Sequence, residues 1–140
     1  MSERAPAIEL VDVHKAFRGK PVLLFLWAEW CGDCKAQATA LARARTRYGE
    51  RGLQVMALTR YYEEEPQRMA EKARVESVWK DVYADVGTVP IVFSTASMER
   101  YGGWSTPTFV FVDRTGIVRR YSPTRLTDAE VDRTLMTLVR

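Results

Sequence analysis

The sequence predicts an α/β fold: a central mixed β-sheet flanked by helices, with an insert between a βαβ half and a C-terminal half made of a β-hairpin and a helix. Three observations predict it. A continuous apolar run at 22–28 is followed by an Ala-rich helical pattern and a second strand at 53–58, and strand-helix-strand order implies parallel pairing through a right-handed crossover. Strand patterns at 108–113 and 117–121 flank the turn Arg114-Thr115-Gly116 as an antiparallel hairpin, and an amphipathic helix follows. The only two cysteines, Cys31 and Cys34, stand where the first strand meets the first helix, inside Trp27-Ala28-Glu29-Trp30-Cys31-Gly32-Asp33-Cys34-Lys35.

Taken in order, residues 8–13 alternate loosely and read as a short edge strand. Gly19 and Pro21 punctuate a turn before the first strand, whose unbroken apolar character is that of a strand buried on both faces. From Cys34 to Tyr48 the chain carries Ala36, Ala38, Ala40, Leu41, Ala42 and Ala44, all strong helix formers, with Lys35, Arg43, Arg45 and Arg47 on the wet side and Gly49 and Gly52 as the stop. Glu65-Pro66 suits a helix start. Met69, Ala73, Val75, Val78, Trp79 and Val82 recur at three- and four-residue spacing, so a helix runs to about 82. Residues 89–93 form a short strand and 95–101 one or two helical turns. Thr127 with Glu130 three residues on forms a capping box, and Val131, Leu135, Leu138 and Val139 share the buried face of the last helix.

The 140 residues imply a single domain, 1–140, with a core that needs no staple. No apolar run reaches the roughly 18–20 residues of a membrane span, and the first residues lack the apolar centre of a signal peptide. The net charge of +3 is scattered, without aromatics interleaved in a basic cluster, which argues against nucleic acid as a partner. A zinc site needs two ligands beyond the cysteines, and the only histidine is His14, read as a surface residue.

With the Cys-x-x-Cys between strand and helix, and with Ser105-Thr106-Pro107-Thr108 before the hairpin, the chain resembles the thioredoxin superfamily over about residues 8–139. It looks closest to thiol-disulfide reductases of the TlpA/ResA type. The features of that branch are Gly19-Lys20-Pro21-Val22-Leu23, the long insert between Leu58 and Tyr101, and the segment from Thr106 to Gly116. The resemblance implies a thioredoxin-like fold and a protein disulfide reductase that cycles a dithiol and a disulfide. Cys31 is then the nucleophile, its thiolate favoured by the start of the helix, and Cys34 the resolving thiol one turn on. Trp30, Gly32, Asp33, Thr106 and Pro107 form the substrate-facing surface, with Pro107 as the family's cis-proline, so that the backbone before it pairs with a substrate strand. Pro90 lies too early in the strand order for that role.

Several residues depart from the family pattern. Asp33 replaces the commoner proline, and its carboxylate either opposes a Cys31 thiolate or simply favours the helix start. Phe25 stands where many thioredoxins bury an acid, and Gln37 where relatives of the ResA type often have Glu, so both familiar acceptors for the Cys34 proton are missing. Water, Glu29 or one of Glu63, Glu64 and Glu65 remain as acceptors, although strand alternation makes Glu29 a solvated residue and the Glu run a solvated helix start. Trp27 and Trp30 wall the site by resemblance, with core packing as the other reading of Trp27. Trp104 borders the docking groove or packs simply, and Tyr61 and Tyr62 pack the insert loop or form part of a specificity surface.

The function these readings give is reduction of disulfides in partner proteins, with an upstream electron donor, no prosthetic group and a monomeric chain. The alternative is a non-catalytic binding module or a copper carrier of the Sco type, which uses wider cysteine spacing and a histidine late in the chain. A peroxiredoxin places a Thr three residues before its nucleophile, where this chain has Ala28. The resemblance implies a periplasmic location if a leader was removed, and the cytoplasm otherwise.

Overall fold

A computed structural model of the chain describes residues 17–140. The edge strand expected at 8–13 and His14 lie outside these residues. Five strands form one mixed sheet: β1 (Val22–Leu26), β2 (Gln54–Thr59), β3 (Ile91–Phe93), β4 (Thr108–Val112) and β5 (Val118–Ser122), in the order β3-β2-β1-β4-β5. β1 runs parallel to β2, and β2 to β3, while β4 is antiparallel to both β1 and β5. The helices are α1 (Gly32–Lys35), α2 (Ala38–Tyr48), α3 (Arg68–Val82), α4 (Thr95–Arg100) and α5 (Asp128–Leu138). The fold is thioredoxin-like. Among the described residues no helix is long and apolar enough to cross a membrane.

The centre of the sheet is dry on both faces, as the unbroken apolar run of β1 requires. Leu23 and Phe25 join one cluster with Phe109, Phe111, Leu41, Trp79, Tyr83 and Leu135, beneath α2, α3 and α5. Val22, Leu24 and Leu26 join the other, with Met56, Leu58, Val110 and Met98 of α4. Each such Leu or Phe taken out of water contributes about 1.5–3 kcal/mol.

Two elements differ from the sequence reading in an informative way. The Ala-rich helix is not continuous from the cysteines: Ala36 and Gln37 close α1, with their N–H groups bonding back to Gly32 and Cys34, and α2 starts at Ala38. In α3 the buried stripe is Glu71, Val75 and Trp79, continued by Tyr83, whereas Met69 is 86% exposed. A strict four-residue stripe selects a glutamate rather than the methionine because Glu71 has its own backbone partners. The last helix is as expected, with the full capping box at Thr127 and Glu130 and with Val131, Leu135 and Leu138 buried.

Candidate functional site

The ends of β1 and the start of β4 bring the site together. Leu26 pairs with Thr108, so the cysteine segment leaving β1 and Thr106-Pro107 entering β4 emerge at the same edge of the sheet. Cys31 precedes α1 in extended conformation, and Cys34 lies inside it. The two are joined as a disulfide with their Cα atoms 5.2 Å apart. The Cys34 N–H donates to Cys31 Sγ over 3.1 Å. Cys31 is 6% exposed and Cys34 fully buried. Cys31 thus keeps a little exposed surface and its sulfur accepts from a backbone N–H, whereas Cys34 keeps none.

The Thr106–Pro107 bond is cis, as the resemblance implied, and no other cis bond occurs among the described residues, Pro90 included. Thr106 and Trp30 line one groove of about 540 Å³, together with Trp104, Tyr62, Arg60 and Glu99. Trp30 is 59% and Trp104 79% exposed, which places both in the groove wall. Trp27, by contrast, is buried against Trp79 and Tyr83, so core packing is its role. Gly32 and Asp33 sit on the open rim, and a Cβ at Gly32 would meet nothing within 4 Å.

Three connections escaped sequence reasoning. Gln37 is buried and uses both ends of its amide on Leu126: Nε2 donates to the Leu126 carbonyl over 2.9 Å, and the Leu126 N–H donates to Oε1 over 2.7 Å. It is therefore a backbone clamp and not a proton acceptor. The clamp holds the loop that carries Arg125, whose Nη1 lies 3.4 Å from Asp33 Oδ1. Nothing in the sequence marks Arg125. Third, Glu71 is buried and accepts from the N–H groups of Tyr62 and Glu63, at 2.8 and 3.1 Å. This pins the insert so that the Tyr62 ring stands edge-on to Trp30, 5.3 Å between centroids, with the Arg60 guanidinium 3.9 Å from its centre. Burial pushes the Tyr62 phenol up, against the pull of Arg60, so it faces the groove uncharged. The one early signal for Glu71 was its four-residue spacing from Val75 and Trp79.

Glu29 is not the solvated residue that alternation suggested. Its side chain is 19% exposed and pairs with Arg74, 3.5 Å away, and Arg74 also reaches Glu63 at 3.0 Å. β1 ends at Leu26, so alternation no longer governs position 29. Phe25 is sealed among Trp79, Tyr83 and Phe109. Tyr61 stacks on Phe93, the packing role foreseen for it.

Comparison with known proteins gives a consistent picture. The profile of the AhpC/TSA family matches residues 2–121. A thioredoxin-like protein of Synechocystis is 44% identical over 39 residues, which are 28% of this chain and 35% of that protein. The thioredoxin of Acidithiobacillus ferridurans is 48% identical over 40 residues, 29% of this chain and 35% of that one. These matches span about a third of the length of those curated relatives. In structure the chain is similar to MTB DsbF, with a TM-score of 0.73 at 18% identity over 89% of this chain and 84% of that one. It is also similar to the pneumococcal exposed lipoprotein thioredoxin of Streptococcus pneumoniae, with a TM-score of 0.69 at 25% identity over 89% of each chain.

Proposed function

We propose, since the chain belongs to the AhpC/TSA family, that it is a thiol-disulfide oxidoreductase that reduces disulfides in partner proteins. The observation that carries this reading is the unequal access of the two sulfurs: Cys31 at the rim with a backbone donor, Cys34 sealed behind it. In the dithiol form, the Cys31 thiolate attacks one sulfur of a partner disulfide. A Cys31–partner bond forms, and the partner's other sulfur leaves as a thiolate and takes up a proton. Cys34 then loses its proton and attacks Cys31 Sγ. The Cys31–Cys34 disulfide closes, and the partner departs with both electrons as a dithiol. An upstream dithiol donor restores the enzyme.

Trp30, Gly32, Asp33 and Thr106, with the buried Pro107 next in the chain, form the face on which the partner lies, and the groove that Trp30 and Thr106 line extends it over Trp104, Tyr62 and Arg60. Gln37 is occupied by Leu126, Phe25 cannot take a proton, and Glu29 is engaged by Arg74. With Glu63 and Glu65 engaged by Arg74 and Arg68, the reading assigns the Cys34 proton to water entering beside Cys31 or to Glu64. An extracytoplasmic location is part of the reading, supported by the exposed lipoprotein among the structural relatives.

Insulin reduction driven by dithiothreitol tests the activity. The wild type is expected to reduce insulin, Cys31→Ser to be inactive, and Cys34→Ser to accumulate a mixed disulfide. Trapping through Cys34 in place of Cys31 would overturn the assignment. Consumption of hydrogen peroxide without insulin reduction would replace the reading with a peroxidase. A couple at or below about −270 mV places the protein among reductants, and one near about −120 mV among oxidants.

A further inference from the structure

The end of the sheet away from the cysteines carries a second groove. β4 starts at the end of the sheet where the cysteine segment leaves β1 and finishes at Val112, so the turn from Asp113 to Ile117 lies at the opposite end. There β5 is the terminal strand among the described residues, and α5 runs beside it, joined through Arg120 to Thr134 Oγ1 at 3.0 Å and to Glu130 at 3.6 Å. Between them opens a groove of about 740 Å³, lined by Arg114, Arg119, Arg120, Arg133 and Arg140 with Asp113. Five arginines line it against Asp113, with Glu130 beside Arg120, so the side chains of the groove are net positive.

The arginines are not equally committed. Arg114 is held by the carbonyls of Arg51 and Val139, at 2.7 and 3.3 Å. Arg119 is bound to Asp113 at 2.6 Å, and that carboxylate is further held by Thr115 and the Ile117 N–H. Arg133 and Arg140 are exposed and have no acidic partner among the described residues. A concave wall of like charge raises the local concentration of anions and focuses their approach. Two further features narrow the anion. Ile117 of the turn, Val118 of β5 and Met136 of α5, outside the groove lining, are about half exposed. Among the described residues the outer edge of β5 has no neighbouring strand, and such an edge can accept an extended chain. Neither an aromatic ring nor a glycine lines the groove, so the stacking platform and glycine-rich backbone cradle that suit a nucleotide are missing.

We propose that the groove between β5 and α5 docks an acidic, extended segment of a partner protein, and that it does so while the cysteine end remains free. The proposal shares with the functional reading only the premise that partners are proteins. Its test is separate: fluorescence anisotropy of a labelled oligoglutamate peptide titrated with the oxidised full chain. Saturable binding is expected, weakening with added salt, since screening shortens the reach of these charges to about 8 Å at physiological ionic strength. Arg133→Glu with Arg140→Glu is expected to weaken it at least about tenfold. Lys72→Glu with Lys80→Glu, the same charge change on the exposed side of α3, is expected to leave it within about twofold. Absence of saturable binding at low salt overturns the proposal, as does equal loss in the two variants, which would reduce the effect to net charge. Tighter binding of inorganic triphosphate than of the peptide overturns it in favour of a phosphate site. Peptide binding by a protein that fails to reduce insulin would sink the redox reading and leave the docking site standing.

Discussion

Asp33 and Arg125 show how little a single charge in the motif says alone. A bare carboxylate beside Cys31 would oppose its thiolate, but Arg125 lies 3.4 Å from it, and both side chains are more than half exposed. Exposed pairs of this kind are worth about 0–1 kcal/mol, so the effect of Asp33 on the thiol is a fraction of what an unpaired carboxylate would exert. Asp33→Asn is expected to speed alkylation of Cys31 by iodoacetamide below neutral pH and to make the couple less reducing. Both changes stay within about tenfold, or one pH unit. Slower alkylation in that variant would refute the sign. Gln37 offers the sharper experiment. Gln37→Glu keeps the acceptor for the Leu126 N–H but sets an oxygen against the Leu126 carbonyl, in a buried place. A loss of about 1–3 kcal/mol in denaturant unfolding is expected, together with a new ionisation in the pH profile of insulin reduction. An unchanged stability would mean that the amide clamp carries no energy.

At the scale of elements, the insert acts on the site through α3. Glu71 accepts two backbone N–H groups of the segment that follows β2, and those bonds place Tyr62 against Trp30. Arg74, one turn further along α3, ties Glu63 to Glu29 from the other side. The loop before Cys31 and the insert are thus fastened to one helix. Glu71→Ala leaves two N–H groups without partners and frees Tyr62. The expected result is a several-fold higher KM for insulin with an unchanged rate on a small aromatic disulfide, which does not need the groove wall. A parallel fall of both rates would mean that Glu71 supports the fold as a whole and does not position the groove.

At the scale of the molecule, the two ends of the sheet have separate work. The cysteine end carries an aromatic groove of mixed charge, whereas the opposite end concentrates arginine around the turn after β4. That turn is organised by Asp113. Burial would raise its carboxyl, but hydrogen bonds from Thr115, the Ile117 N–H and Arg119 outweigh this and hold it well below the ordinary value of 3.8. The sign of the linkage follows: a depressed carboxyl pKa stabilises the fold above 3.8, and that stability drains away as the pH falls below it. Thermal unfolding is expected to show a steep loss of stability below about pH 4. Asp113→Asn is expected to be less stable at neutral pH by on the order of 1–3 kcal/mol, with a shallower acid limb. An equally steep limb in the variant would locate the acid sensitivity elsewhere.

What local rules control was legible in the chain before it folds. The unbroken apolar run meant a strand dry on both faces, the spacing of Cys31 and Cys34 meant two sulfurs one turn apart, and Thr127 with Glu130 meant a capped last helix. Each of these depends on neighbours within a turn or a strand pair. The tertiary structure alone decided what the remaining polar groups face. Gln37 reads as an absent acid until Leu126, 89 residues later, fills its amide. Asp33 reads as an unopposed charge until Arg125, 92 residues later, arrives beside it. Glu71 finds its partners only when the chain after β2 folds over it, and the arginine groove forms only when β5 and α5 close on each other. Covalent spacing carries chemistry that acts within one helical turn, while burial and charge are set by whatever distant segment the packing brings alongside.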